Sequence, residues 1–425
     1  MERIAIVDGI RTPFAKAWTV FEDIPAQKLG ALCVRELLER TGLAPGLVDE
    51  VIFGCVAQPM EASNIARVIS LNSGIPERKR AYTVSRNCAS GLESVTSAWE
   101  KIITGMDEIV IAGGTESMSN IPFFFGKEIT KTLTRLGKAK TAWEKLRLIA
   151  AVRPAQLKPV LGLVEGLTDP VCGLNMGSTA EVLAKELGIT RQEQDDFALR
   201  SHQRAVAARA KLKEEIVPVI TGRKFDAVLE DDNGPRENLT PEALAKMKPY
   251  FDRAAGTVTV GNSCQVTDGA CCMLVMKEEK AKAMGYEPLG YIRSYAYEGL
   301  DPSRMGLGPA YAIPAALKKA GLALKDIGVT EINEAFAAQV LASVRMLASK
   351  KFAEENLGLS AAVGELDPDK LNVNGSGISV GHPVGATGSR LILTVLKEMK
   401  RRGLQYGLAS LCVGGGQGGA VVLER

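Results

Sequence analysis

Three short clusters in the 425-residue chain combine a nucleophile or a base with small residues. They are Ser85-Arg86-Asn87-Cys88-Ala89-Ser90-Gly91, Gly381-His382-Pro383-Val384-Gly385-Ala386-Thr387-Gly388 and Cys412-Val413-Gly414-Gly415-Gly416-Gln417-Gly418-Gly419. Each stands where a strand ends or a helix begins, which is where α/β folds bind ligands. Cys88 precedes an amphipathic helix by a few residues. Unpaired N–H groups and the helix dipole favour an anion there, so the spacing predicts a lowered thiol pKa and a nucleophilic thiolate. The bland alternative is a buried apolar cysteine, for which Asn, Ser and Gly neighbours make a poor pocket.

Histidine is scarce, with only His202 and His382. Any cysteine–histidine chemistry must use one of them, and a site needing three histidines is excluded within one chain. His382 lies in a Gly/Pro loop before a helix, where a side chain can reach a ligand, so it is the better base. His202 lies in a charged helix, Asp195–Glu215, and reads as surface or structural. Cys412 ends a strand and opens a glycine run whose freed N–H groups suit an oxyanion hole. A dinucleotide-binding turn is rejected for that run, because Ala420–Leu423 reads as a strand where the fingerprint needs a helix. The other cysteines are Cys33, Cys55, Cys172, Cys264, Cys271 and Cys272; no CxxC pair occurs, so no metal site is expected.

The elements that must position these residues alternate strand and helix. Strands are predicted at Arg3–Val7, Glu50–Phe53, Glu108–Ala112, Val329–Ile332 and Leu408–Cys412. Helices are predicted at Leu29–Thr41, Gly91–Thr104, Ile313–Ala320 and Ser389–Arg402. The order helix–Gly–strand–Gly recurs in both halves, which suggests a duplicated α/β unit. Between the halves, residues 127–158 carry nine lysines and arginines against Glu128 and Glu144 alone. Ile129, Leu133, Leu136, Trp143, Leu146 and Ile149 are interleaved. This pattern fits a membrane surface, a partner or anionic ligands, or equally a solvated helix packed on its own domain. Phe225–Lys248 is polar, with turns at Asp-Asp-Asn-Gly-Pro.

Composition sets the outer bounds. The chain is 46% hydrophobic and 24% charged, with 43 glycines and a net charge of +3. That excludes bulk disorder and argues against a nucleic-acid binder. No apolar run is long enough to span a membrane, and the start shows no signal-peptide pattern, so a cytoplasmic protein is expected.

The chain resembles the thiolases, the acetyl-CoA C-acyltransferases. The resemblance rests on NCASG (87–91), AGGTESMS (112–119), NEAFA (333–337), NVNGSGISVGHPVGATGSR (372–390) and CVGGGQGGA (412–420), in the family's order and across essentially the whole chain. It implies two similar βαβαβ halves in a layered α/β arrangement with an inserted loop domain. The implied boundaries are 1–120 plus 250–285 for the first half, 121–249 for the insert and 286–425 for the second half. It also implies an acyltransferase that cleaves 3-ketoacyl-CoA with CoA, through an acyl-enzyme, to acetyl-CoA and a shortened acyl-CoA.

By the same resemblance Cys88 is the nucleophile, His382 takes its proton, and Cys412 moves a proton at the α-carbon. Asn333 would hold a water that stabilises one oxyanion with His382, and the N–H groups of Cys88 and Gly414 would hold another. No cofactor is implied as permanently bound, and coenzyme A is a co-substrate. Ser263 and Cys264 stand where many members place Ala-Ser near the pantetheine. Asn175 replaces a His that small-substrate biosynthetic members often carry. The insert and the segment 289–297 are similar to the β subunits of trifunctional fatty-acid-oxidation complexes, although those commonly carry His where this chain has Asn333. That branch implies a homodimer or homotetramer and admits a hydratase/dehydrogenase α subunit. The alternatives are an acetyl-CoA acetyltransferase forming acetoacetyl-CoA, or a non-catalytic acyl-CoA or lipid-binding protein on the same fold. The presence of Cys88, His382 and Cys412 together counts against the last.

Overall fold

A computed structural model describes residues 2–222, 224 and 226–425; Met1 and Phe225, which open two segments read from the sequence, lie outside them. The apolar runs form strands β1 (Ile4–Arg11), β2 (Glu50–Gly54), β3 (Arg80–Val84), β4 (Ile109–Ser117), β5 (Thr267–Lys277), β6 (Gly290–Gly299), β7 (Val329–Ile332), β8 (Tyr406–Val413) and β9 (Gln417–Glu424). Their order is β7-β8-β9-β6-β1-β5-β4-β2-β3, with the two-residue strand Ala15–Lys16 pairing beside β5. In the first half β1/β5 and β5/β4 are antiparallel and β4/β2 is parallel. In the second half β6/β9 and β9/β8 are antiparallel and β8/β7 is parallel. The two sets repeat one pattern, as a duplication requires. Strands β1 and β6 join the two sets at Ala5↔Tyr291 and Ile6↔Gly290.

Nine helices are used below: α1 (Ala26–Thr41), α2 (Ser90–Ile103), α3 (Lys127–Lys138), α4 (Ala142–Ala150), α5 (Met176–Glu186), α6 (Arg191–Ala207), α7 (Gly308–Ala320), α8 (Ala337–Leu347) and α9 (Val384–Arg402). One core lies between the half-sheets. It joins Ile6, Ile52 and Met273 of the first half, Leu411 and Val421 of the second, and Leu92, Val95, Leu391 and Val395 of α2 and α9. Outer cores hold α1 on the first half through Leu29, Val34 and Leu37, and α7 and α8 on the second through Ile313, Leu317 and Val340. Helices therefore stand outside, between and outside two half-sheets, a layered α/β architecture.

The inner pair α2 and α9 approach unusually closely. A Cβ on Gly91 would lie 2.8 Å from the Gly385 carbonyl oxygen, and one on Gly388 would lie 2.3 Å from the Leu92 nitrogen. Glycine at both positions lets the two helix starts touch, which brings the residues preceding each helix together.

Two expectations are corrected. Asp195–Glu215 is not one charged surface helix. Helix α6 ends at Ala207, and Gln194, Asp195, Ser201 and His202 are buried. His202 Nδ1 accepts the Arg236 N–H at 3.2 Å, so its role is structural and not surface. Helix α9 starts at Val384 and not Ser389, because the small residues Gly385 to Gly388 form a packed helical turn and not a loop. The basic insert leaves α3 and α4 almost unpacked. Only Ile129 is buried on α3 and nothing on α4, while Leu133, Trp143, Leu146 and Ile149 are exposed. Among the described residues, no helix is long and apolar enough to cross a membrane.

Candidate active site

Cys88 lies between β3 and α2. Asn87, at φ +43°, turns the chain in the left-handed region that Asn tolerates better than most side chains. The turn is tied by Ser90 Oγ, which accepts the Arg86 N–H and donates to the Asn87 carbonyl. Asn87 Nδ2 donates to the Gly414 carbonyl at 2.7 Å, fastening this turn to the glycine run after β8. The N–H groups of Gly414 and of Cys88 itself lie beside the Cys88 sulfur and favour its anion. These lower its pKa, but burial outweighs them and the thiol pKa lies above its ordinary value. The expected lowered pKa is therefore corrected: the resting group is a thiol and needs a base.

His382 has the protonation state of one. It is buried before α9, and burial pushes its pKa down to about 4, so the ring is neutral at pH 7. Its Nδ1 lies 2.6 Å from Thr387 Oγ1, whose own proton goes to the Pro383 carbonyl at 2.9 Å. The hydroxyl must then accept, so Nδ1 carries the ring proton. Nε2 is left with a lone pair and has no partner. A neutral imidazole with a free, buried acceptor nitrogen has the protonation state that a general base needs.

Cys412 ends the buried strand β8. Burial first, then the neighbouring Cys88 and Cys264, raise its thiol pKa well above the ordinary value. A thiol whose pKa is raised by burial keeps its proton at pH 7. Asn333 follows β7, and its N–H donates to the Ser410 carbonyl, two residues before Cys412. Its side chain is fully buried, yet neither amide atom has a partner. Buried unpaired amide atoms are costly, so a ligand or water oxygen is expected there.

Cys264 is half-buried beside the other thiols, and burial and Cys88 push its pKa up to about 12. Ser263 faces differently: it is buried and its hydroxyl donates to the Thr259 carbonyl at 2.6 Å. Cys88, Gly414, Cys412 and Cys264 are thus brought together, and Ser263 contributes a turn and not a free hydroxyl.

Several residues that support the site were not singled out by sequence. Buried Glu116 accepts the N–H groups of Val56, Ala57 and Gly385, pinning the start of α9. Buried Glu334 accepts Ser201 Oγ, Asn372 Nδ2 and the Ile378 N–H, linking the Asn333 loop to α6 and the His382 loop. Thr387 sets the histidine tautomer. Glu116 and Glu334 lie inside AGGTESMS and NEAFA, and an acid among small apolar residues is the available signal. Among the described residues, no group of three or more His, Cys, Asp and Glu is placed to hold a metal ion.

The family model for the thiolase N-terminal domain matches residues 4–279, and that for the thiolase C-terminal domain matches residues 286–425. The 3-ketoacyl-CoA thiolases of Yersinia enterocolitica and Pectobacterium atrosepticum are each 45% identical to this chain, covering 100% of it and 97% of their own length. Among solved structures, the Bacillus anthracis acetyl-CoA acetyltransferase is similar at 37% identity and a TM-score of 0.87, covering 100% of this chain and 99% of its own. Human mitochondrial 3-ketoacyl-CoA thiolase in complex with CoA is similar at 35% identity and a TM-score of 0.86, covering 100% and 98%.

Proposed function

The chain belongs to the thiolase family, and from that premise we propose that it is a 3-ketoacyl-CoA thiolase, cleaving 3-ketoacyl-CoA with CoA to acetyl-CoA and an acyl-CoA two carbons shorter. The observation that carries this reading is a neutral His382, its Nε2 lone pair free, together with two thiols of raised pKa, half-buried Cys88 and buried Cys412. Nε2 takes the Cys88 proton and the sulfur attacks the substrate's 3-keto carbon. The bond between carbons 2 and 3 breaks, leaving the acyl group on Cys88. The departing acetyl-CoA carbanion takes a proton from Cys412. Cys412, now a thiolate, takes the proton of the CoA thiol, whose sulfur attacks the Cys88 thioester; Cys88 leaves as a thiolate and regains its proton from His382 Nε2, releasing the shortened acyl-CoA. The Gly414 and Cys88 N–H groups suit the thioester oxygen. Asn333 and His382 Nε2, both unpartnered, suit a water facing the other oxyanion. Cys264 lies beside the path of the reacting thioester. Ser263, its hydroxyl engaged with Thr259, has only its backbone left to offer CoA.

A rate of thiolysis measured over 3-ketoacyl-CoA substrates of four to sixteen carbons tests the reading. Activity with the longer chains supports it. Activity confined to four carbons favours an acetyl-CoA acetyltransferase, the reading kept open by the Bacillus anthracis neighbour. Strand β3 is a half-exposed edge of the sheet, which favours a homodimer formed by pairing two such edges. The basic face of α3 and α4, with Trp143, Leu146 and Ile149 exposed, favours a peripheral contact with an anionic membrane. An α subunit on that face is the competing occupant.

A further inference from the structure

The proposed reaction asks the Gly414 N–H to meet charge developing on the thioester oxygen. Such a donor is effective only if it is held in place beforehand. Little in its own segment holds it. Strands β8 and β9 pair as far as Val413↔Gln417, so Gly414, Gly415 and Gly416 form the turn between them. Gly415 and Gly416 lie at φ +92° and +80°, and three residues without side chains leave the turn free to change its dihedral angles. Where Gly414 lacks a Cβ, the nearest atoms belong to the tip of Met176, the flexible first residue of α5, and to the Asn87 amide.

The two residues before Cys88 tie both ends of this turn. Asn87 Nδ2 donates to the Gly414 carbonyl at 2.7 Å. Arg86 Nη1 donates to Gln417 Oε1 at 3.0 Å. Arg86 is itself fixed, by Glu93 at 2.7 Å and by the Tyr297 ring, whose centroid lies 4.1 Å from its guanidinium carbon. Asn87 adjoins Cys88 in the chain, so its bond joins the sulfur and the N–H beside it into one unit. Asn87 is exposed, so substituting it leaves the core intact.

We propose that Asn87 is a positioning residue: its amide holds Gly414 against Cys88, so that the oxyanion donor is in place both when the thioester forms and when it is broken. This rests on the thiolase reading above. Two variants separate the amide from the turn. Asn87→Gly accepts the positive φ without strain and lacks the donor. Asn87→Asp keeps the shape and sets an oxygen against the Gly414 carbonyl. Each is compared with wild-type protein for kcat and KM in thiolysis, for thermal unfolding, and for the pH dependence of iodoacetamide alkylation read on the Cys88 peptide. We expect kcat to fall roughly 10-fold or more in both, short of the ~100-fold or more that follows outright loss of an oxyanion donor. KM and the thermal midpoint should stay near wild type. The midpoint of the alkylation profile should move to higher pH, because the N–H that favours the sulfur anion is no longer held beside it. A side chain that only shaped the turn would not move it. Glu116, Cys264 and Cys412, the titratable groups that act with Cys88, are the same in all three proteins. The new charge in Asn87→Asp also acts on the sulfur, so Asn87→Gly decides. Wild-type kcat in Asn87→Gly, an unmoved alkylation profile in it, or a rise in KM alone overturns the proposal. Wild-type protein that cleaves no 3-ketoacyl-CoA overturns the thiolase reading instead, and the alkylation profile still tests the tie between Asn87 and Gly414.

Discussion

Thr387 decides which nitrogen of His382 acts. Its hydroxyl proton is committed to Pro383, so it can only accept from Nδ1. Thr387→Val removes the acceptor and frees the ring to adopt the wrong tautomer. Turnover should fall roughly 100-fold, the lower end of general-base effects, with KM little changed, and Thr387→Ser should restore most of it. Steady-state kinetics on the two variants checks this. Both histidines are held by burial at a pKa of about 4, against about 6.5 in an unfolded chain. Between those values the unfolded state binds more protons. Stability is thus fully present above pH 6.5 and is lost as pH falls toward 4, by about 1.4 kcal/mol per pH unit for each ring. Denaturant unfolding at several pH values measures the slope, and His202→Gln should remove one proton from it. The side chains proposed as catalytic stand out in the sequence because small residues surround them. The Cys88 pKa was misread because a helix start is visible in sequence and burial is not. Thr387 escaped notice because its importance lies in a proton it cannot share.

The proposed nucleophile and base stand at the starts of helices α2 and α9, and glycines at their contact let the two starts touch. Gly388→Ala would force a methyl to within 2.3 Å of backbone that cannot move. We expect it to destabilise the protein by about 1–3 kcal/mol or more. Gly414→Ala meets only the end of the flexible Met176 side chain and should cost little stability while lowering turnover. Thermal unfolding and activity of the two variants separate the cases. Most helices and strands were legible from periodicity and their glycine ends. The start of α9 was not, since Gly385-Ala386-Thr387-Gly388 has the composition of a loop. These residues are small because α2 lies against them, and a single sequence does not display that neighbour.

At the scale of the whole molecule the duplication was readable, because each half repeats helix, glycine and strand. That β5 returns from beyond the insert to the first half-sheet came only from family resemblance; long-range strand pairing leaves no local mark. The insert's charge was visible, and its exposed apolar face became evident only when nothing packed on α4. Co-sedimentation with vesicles containing anionic phospholipid should therefore capture the protein at low salt and release it at high salt. Binding only to an α subunit would assign the face to that partner. The most direct test of the account is the mass of the intact protein, followed by peptide mapping, after rapid mixing with a 3-ketoacyl-CoA in the absence of CoA. The account predicts an acyl adduct two carbons shorter than the substrate chain, on Cys88 and absent from Cys88→Ala. No adduct, or the same adduct on another residue, would contradict it.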